Sequence, residues 1–202
     1  MSVTQVMLFP LKLFFDKIFF PVYKKRLAKI VASMIKDNSY VLDFGCYDGS
    51  TAMLIMKYNP TLKIVGVDIQ DNQTAKIQRK IYDGKKIPYP DNTFDLVMSL
   101  DVLHHTTDIP KHLKEMQRVS KKYVLIKDHA VYSFFSDLLI RFSDYSSNLP
   151  YDIKCVFNFP SPDKWMRMFK ACGLKIIDQP KNLSFGFWIN ERYNPIFKLE
   201  KI

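Results

Sequence analysis

The sequence predicts an α/β protein built on a single doubly wound sheet, mostly parallel with an antiparallel last strand, with helices on both faces. Three observations lead there. Short apolar runs at residues 40–42, 62–67, 94–100 and 123–126 alternate with stretches whose apolar residues recur at helical spacing, the pattern of strands joined by crossover helices. The first run ends in Asp43-Phe44-Gly45-Cys46-Tyr47-Asp48-Gly49-Ser50, where two glycines four apart free the backbone between a strand and a helix, the place where open α/β sheets bind nucleotides. The 202 residues, 48% hydrophobic and 25% charged, suffice for one core and not comfortably for two.

Taken in order, residues 3–22 are dense in Phe and Leu but interrupted by Pro10, Lys12, Asp16 and Lys17. They are too few and too charged to cross a bilayer, which takes ~20 largely apolar residues. The basic residues follow the apolar run, which argues against a secretory signal. Residues 1–22 are expected to be either a lid helix, packed over the mouth of a site or on a second subunit, or a helix lying in a membrane interface beside Lys24, Lys25, Arg26 and Lys29. Helices are expected at 23–36, ended by Asp37-Asn38-Ser39, at 50–58, stopped by Asn59-Pro60, and at 72–80, 109–119 and 130–142. Residues 143–160 read as a long irregular stretch, of the kind that forms lids or binding loops. Ser161 caps a last helix with Pro162 in its first turn, Trp165, Met168, Phe169 and Cys172 on one face, and Gly173 as its stop. Residues 174–177, 183–189 and 196–199 read as closing strands.

Val-Leu-Asp-Phe-Gly-Cys-Tyr-Asp-Gly at 41–49 resembles the first motif of the S-adenosylmethionine-dependent methyltransferases of Rossmann-like fold. Gly66-Val67-Asp68-Ile69 resembles the acidic end of their second strand and Asp83-Gly84 the motif of the third. Ile-Pro-Tyr-Pro-Asp-Asn-Thr-Phe-Asp-Leu-Val at 87–97 resembles the approach to strand four in the "methyltransferase domain 11" type. The resemblance covers roughly residues 25–180 and implies a domain at 23–202 whose lid, at about 143–160, closes over the acceptor. It implies S-adenosyl-L-methionine as cofactor, held by Asp43, Gly45, Cys46, Tyr47 and Gly49, by Asp68 at the ribose, by Ile69, Asp83 and Gly84 at the adenine, and by backbone near Leu100 at the methionine part. Asp68 also stands 19 positions beyond Gly49, and its two oxygens can accept from paired hydroxyls; the alternative is an N-cap for helix 72–80. Asp83-Gly84 can equally be a solvated turn. Tyr47 departs from the family's middle glycine, so it needs a backbone conformation open to other residues and a ring directed away from the cofactor.

His129, His105 and Asp101 are the candidate catalytic residues, since an imidazole titrates near physiological pH and all three sit at strand ends facing the expected cleft. One His of the 104–105 pair can instead be packed under the following helix. Asp128 could fix the His129 tautomer, although strand neighbours point to opposite faces. Asp144, Asn148, Tyr151 and Asn158 either touch the acceptor or are ordinary loop polarity. Cys46, Cys155 and Cys172 and the four histidines lack metal-ligand spacing, so no structural metal and a reduced, cytoplasmic setting are expected, with a peripheral place at the inner face of a membrane as an addition to it. A net charge of +10 raises polyanionic or anionic-membrane partners. Nucleic acid is disfavoured by the lack of an arginine-rich arm, of Asn/Asp-Pro-Pro-Tyr and of a Pro-Cys nucleophile. The expected function is methyl transfer to a small-molecule or lipid-like, amphiphilic acceptor; the alternatives are an RNA or DNA methyltransferase and a non-catalytic scaffold of the same fold. The sequence does not set the oligomeric state.

Overall fold

The computed structural model describes residues 10, 13–149, 155–181, 183–186, 189–190 and 192–202. Its strands are β1 (Tyr40–Phe44), β2 (Lys63–Asp68), β3 (Arg79–Ile81), β4 (Phe94–Leu100), β5 (Ser120–Lys127), β6 (Leu174–Asp178), β7 (Ser184–Gly186), β8 (Ile189–Asn190) and β9 (Ile196–Lys201). The helices are α1 (Phe20–Met34), α2 (Ser50–Tyr58), α3 (Ile109–Val119), α4 (Phe134–Asn148) and α5 (Pro162–Ala171). Seven strands form one sheet in the order β3-β2-β1-β4-β5-β9-β6. The first five are parallel, and β9 runs antiparallel to both β5 and β6. The chain winds outward from β1 in one direction and from β4 in the other, so the connections leaving these neighbours diverge and open a crevice at their carboxyl ends.

Alternate residues of the central strands divide the core. Val41, Leu96, Met98 and Leu125 pack with α1 and α2 on one face, whereas Leu42, Phe44, Val97, Val124 and Ile126 pack with α3 and α5 on the other. Strands covered on both faces read as continuous apolar runs, which is why they were visible in the sequence. On α5, Trp165 is fully buried, stacks on Phe169 and donates its indole N–H to the His129 carbonyl at 2.9 Å. That bond ties α5 to the exit of β5.

A π-helical turn, Phe15–Phe19, leads into α1, and Phe15, Phe19 and Tyr23 are buried in the α1–α2 face of the core. Leu13, Ile18 and Val22 remain exposed. The rest of the aromatic N-terminal segment, residues 1–9 and 11–12, lies outside the described residues. Among the described residues no helix is long and apolar enough to cross a membrane.

Three expectations are corrected. No helix forms at 72–80: the stretch offers only Ala75 and Ile77 as apolar residues before Arg79, too few for a buried stripe. The guanidinium of Arg79, with its side chain 7% exposed, instead gathers the loop by donating to the carbonyls of Gln70 (2.8 Å), Tyr47 (3.3 Å) and Asn72 and pairing with Asp71. The helix expected at 130–142 begins later and runs on through Asn148, because Ser133 and Ser136 form a reciprocal capping box; the first part of the expected lid is therefore helical. Residues 183–189 do not form one closing strand. Ser184–Gly186 and Ile189–Asn190 pair as a separate two-stranded sheet that places Phe185 against Tyr23 of α1.

Replacing Arg79 by lysine removes the planar fork that holds four loop groups at once. The expected outcome is cleavage by trypsin after Lys76 at least ~10-fold faster, the equivalent of about 1.4 kcal/mol of local opening, with little change in melting temperature. An unchanged cleavage rate would show that the loop is held by something else.

Candidate functional site

The turn between β1 and α2 is built to leave no room for side chains. Gly45 has φ +76° and Gly49 φ +71°; a Cβ on the first would lie 2.4 Å from Val102 and on the second 2.6 Å from Ile77. Gly66 in the neighbouring β2 faces the Cys46 sulfur, which a Cβ would meet at 2.3 Å. Tyr47 adopts φ +47° with its ring about half exposed, so it occupies the left-handed region without filling the crevice floor. Its backbone N–H donates to Asp68 Oδ2 (2.7 Å), and the Gln70 N–H donates to Asp68 Oδ1 (2.9 Å). Asp68 thus fixes the turn, caps no helix, and keeps a further lone pair on each oxygen.

Asp43 is buried one strand away from Asp68. Burial first, and then the Asp68 charge, push its carboxyl up to about 7. Burial and the same two carboxylates push the Cys46 thiol up to about 12, which leaves Cys46 a neutral packing residue against Gly66. Ile69 is 63% exposed and stands beside Gly84. Asp83 is exposed, and its Oδ1 accepts from the Lys85 and Lys86 backbone N–H groups, the geometry of a solvated turn. Leu100 is half-buried at the end of β4.

Beyond β4 and β5 the polar residues form two networks. In the first, Asp101, at φ +59°, accepts from the Tyr23 hydroxyl and from the ammonium of Lys127, which is 1% exposed and also donates to Asn194 Oδ1 at 2.9 Å. Asp101 is a partnered ion bridging the sheet to α1. In the second, the fully buried Asp128 carboxylate accepts the Leu103 (2.9 Å) and His129 (2.7 Å) backbone N–H groups and meets His104 Nδ1 at 2.6 Å. The Asp128–His129 ring pairing does not form, as the opposed directions of strand neighbours predict: only the His129 backbone reaches Asp128.

His104 Nε2 lies 3.4 Å from Asp144 Oδ1 on α4. Burial alone would lower the His104 pKa, but the two carboxylates override it and raise it to about 10. The His129 ring packs edge-on against His104 and Phe159. Burial, His104 and Lys127 push His129 down to about 3, which leaves it a neutral and weak base. His105 is lowered too, by burial and His104. Three atoms of this second network, His105 Nδ1, His129 Nδ1 and Asp144 Oδ2, are buried with no hydrogen-bond partner among the described residues. Burial, the Asp144 charge and a side-chain hydrogen bond to Asp144 together lift the Cys155 thiol to about 11.

Of the other lid candidates, Asn148 donates to Asp144 Oδ1 (2.7 Å) and Asn158 to the Thr106 carbonyl (3.0 Å), while Tyr151 lies outside the described residues. Sequence reasoning missed Arg79, Tyr23 and Lys127 as builders of the site. The polar Lys127-Asp128-His129 run at a strand end was the available signal for the third of these; nothing local marks the other two.

The family model described as "Methyltransferase domain" matches residues 15–179. An uncharacterized methyltransferase of Schizosaccharomyces pombe is 30% identical over 114 residues, which are 46% of this chain and 41% of that relative; the chain thus spans about two fifths of its length. The ubiquinone/menaquinone biosynthesis C-methyltransferase of Rickettsia akari is 25% identical over 182 residues, 74% of this chain and 73% of the relative. A solved structure of a Pyrococcus horikoshii protein superposes with TM-score 0.72 at 16% identity over 100% of both chains, a likeness of fold.

The raised Asp43 carboxyl gives a pH dependence with a definite sign. Its carboxyl, raised to about 7 from its ordinary value of 3.8, lets the folded chain bind an extra proton between these values and lose stability as pH rises from about 4 to 7. Asp43→Asn should flatten that slope, by up to about 1.4 kcal/mol per pH unit at the steepest point, in urea melts run across the range. Parallel slopes for the two chains would mean that Asp43 is ionised throughout.

Proposed function

Since the chain belongs to the methyltransferase-domain family, we propose that it binds S-adenosyl-L-methionine in the β1–α2 crevice and transfers a methyl group to a small-molecule, amphiphilic acceptor. What supports this above all is the turn at 45–49: two glycines at positive φ, each with no space for a Cβ, set beside a buried carboxylate at the end of β2. The glycines let the turn pack closely against Val102 and Ile77, and so hold the strand-to-helix junction in the place where open α/β sheets bind nucleotides. Asp68 retains acceptor capacity for ribose hydroxyls, and exposed Ile69 with Gly84 offers an apolar edge for an adenine ring. The Asp68 carboxylate at the end of β2 suits a cationic ligand.

When bound, the cofactor supplies a methyl group on a sulfonium sulfur that leaves as a neutral thioether. The chain's task is then to hold an acceptor atom in line, at ~3–3.5 Å from that carbon, and to keep water out. Phe157 and Phe159 offer aromatic surface beside the His104–Asp144 cluster, and Arg141 lies over the Phe157 ring. The weakly basic His129 serves as a hydrogen-bonding or orienting group, and Asp101 as a positioning ion. The quinone-directed Rickettsia relative supports an acceptor with an apolar body and a polar head.

Calorimetric titration with S-adenosylmethionine tests the reading. Saturable binding is expected, weakened at least ~10-fold in Asp68→Ala, which loses both the charge and the anchor of Tyr47. No heat and no thermal stabilisation in a folded sample would favour the scaffold reading instead.

The N-terminal helix also supports a peripheral contact with an anionic lipid surface, in a cytoplasmic protein that meets the inner face of a membrane. Leu13, Ile18 and Val22 are exposed next to the basic residues Lys17, Lys25 and Arg26, in a chain of net charge +10. Co-sedimentation with phosphatidylserine-containing vesicles should fall several-fold in a Leu13→Asp/Ile18→Asp double variant, both sites being exposed and outside the core. Equal binding by the two proteins would exclude this segment as the contact.

A further inference from the structure

The unpartnered atoms of the second network converge on one point. His104 is gripped at Nδ1 by Asp128 Oδ1 (2.6 Å) and presents Nε2 to Asp144 Oδ1 at 3.4 Å. The His129 ring stands edge-on to it, with centroids 4.7 Å apart. One ligand atom each from His104, His129 and Asp144 can be chosen so that all lie within 4.8 Å of one another. Asp144 is 5% exposed and its Oδ2 lacks a hydrogen-bond partner among the described residues, as does the buried His129 Nδ1. Buried polar atoms left in this state cost on the order of 1–3 kcal/mol each, so a cluster of them implies a ligand that satisfies them together.

We propose that His104, His129 and Asp144 form a site for one divalent transition-metal ion of the zinc or cobalt class. The donor set of two imidazoles and one carboxylate is the chemistry such ions take, with three protein ligands and one open position. Donors ~2.0–2.2 Å from a tetrahedral ion stand about 3.4 Å apart, the separation His104 and Asp144 already have. The third donor, from His129, lies within 4.8 Å of these two. Asp128 is the outer carboxylate: it holds a proton on His104 Nδ1 and so turns Nε2 toward the ion, as the second partner of a metal-bound imidazole does. Asn148 orients Asp144 in the same way by donating to its Oδ1.

Charge favours the same occupant: two buried carboxylates, Asp128 and Asp144, face the site, and a divalent cation offsets both. Ion binding does not depend on the methyltransferase reading. Its use does rest on that reading: the open position would take an oxygen or nitrogen of the acceptor and polarise it.

The test uses the tag-free full-length chain, freed of metal by chelator dialysis and titrated with Co2+ alone. One equivalent should bind with a visible d–d absorption band, and Zn2+ should raise the melting temperature and displace the band. His129→Ala and Asp144→Asn should each weaken Co2+ binding at least ~10-fold, whereas His112→Ala, which alters an imidazole on α3 outside the cluster, should leave it unchanged. Absence of a band and of any melting shift in the native chain overturns the proposal, a result that needs no variant to fold. A band retained in both ligand variants overturns it as well. Titration with S-adenosylmethionine, with and without chelator, separates the two readings: cofactor binding that survives chelation leaves the proposed function standing whichever way the metal result falls.

Discussion

The cleft depends on one buried carboxylate. Asp128, at the exit of β5, accepts backbone N–H groups from the turn that follows β4 and from its own strand end, and it holds the His104 ring. A fully buried charge is tolerated only when its lone pairs are filled. Burial opposes the ionised form, yet His104 and the backbone donors together keep Asp128 well below the usual carboxylate range. The result is that the ends of two adjacent parallel strands, which the winding of the chain would otherwise let diverge, are bound to a single side chain. Everything on the acceptor side of the crevice, from Leu103 to Asp144, is positioned through it.

The cofactor side is organised by the opposite means, through removal of side chains. Gly45, Gly49 and Gly66 each face an atom that a Cβ would strike, so the turn, Cys46 and β2 sit closer together than ordinary residues permit. Asp68 then fixes the one non-glycine in the turn, Tyr47, by its backbone, while Arg79 reaches the Tyr47 carbonyl from the other direction. The Tyr47 substitution is tolerated because the left-handed region is open to non-glycine residues at a modest energetic cost and its ring goes to solvent. The family's glycine at this place is therefore one solution to a backbone requirement that Tyr47 also meets.

How much was legible in the sequence follows from the range of the forces involved. The central strands and the turn at 43–50 were readable because burial on both faces and positive φ leave local marks, continuous apolar runs and glycines. The helix bounded by Ser161 and Gly173 was readable for the same reason, with its cap and its stop both written in adjacent residues. The stretch 72–80 was misread because its geometry comes from one side chain near its end, Arg79, acting on four groups at once. The pairing of Asp128 with His104 was equally hidden, because it joins residues 24 apart through the sheet; strand alternation argued only against His129 and did not point to His104. His104, His129 and Asp144 carry no ligand spacing because three different elements supply them.

The two polar networks beyond β4 and β5 differ in a way that separates structure from function. In the Asp101 network each carboxylate oxygen has a donor, and the Lys127 ammonium has carboxylate, amide and aromatic neighbours, Tyr23 and Phe185 among them. Nothing is left over, and breaking it to admit a substrate would leave Lys127 charged and buried. The His104 network has the same burial but three atoms without partners. Folding alone would select against such atoms, because an apolar side chain of similar shape avoids their desolvation cost. Among the described residues their bonding is incomplete, and that is the gap the proposed metal ion would fill. Satisfaction of the first network fits a supporting role and incompleteness of the second fits the proposed metal site, although sequence position had grouped Asp101 with the histidines.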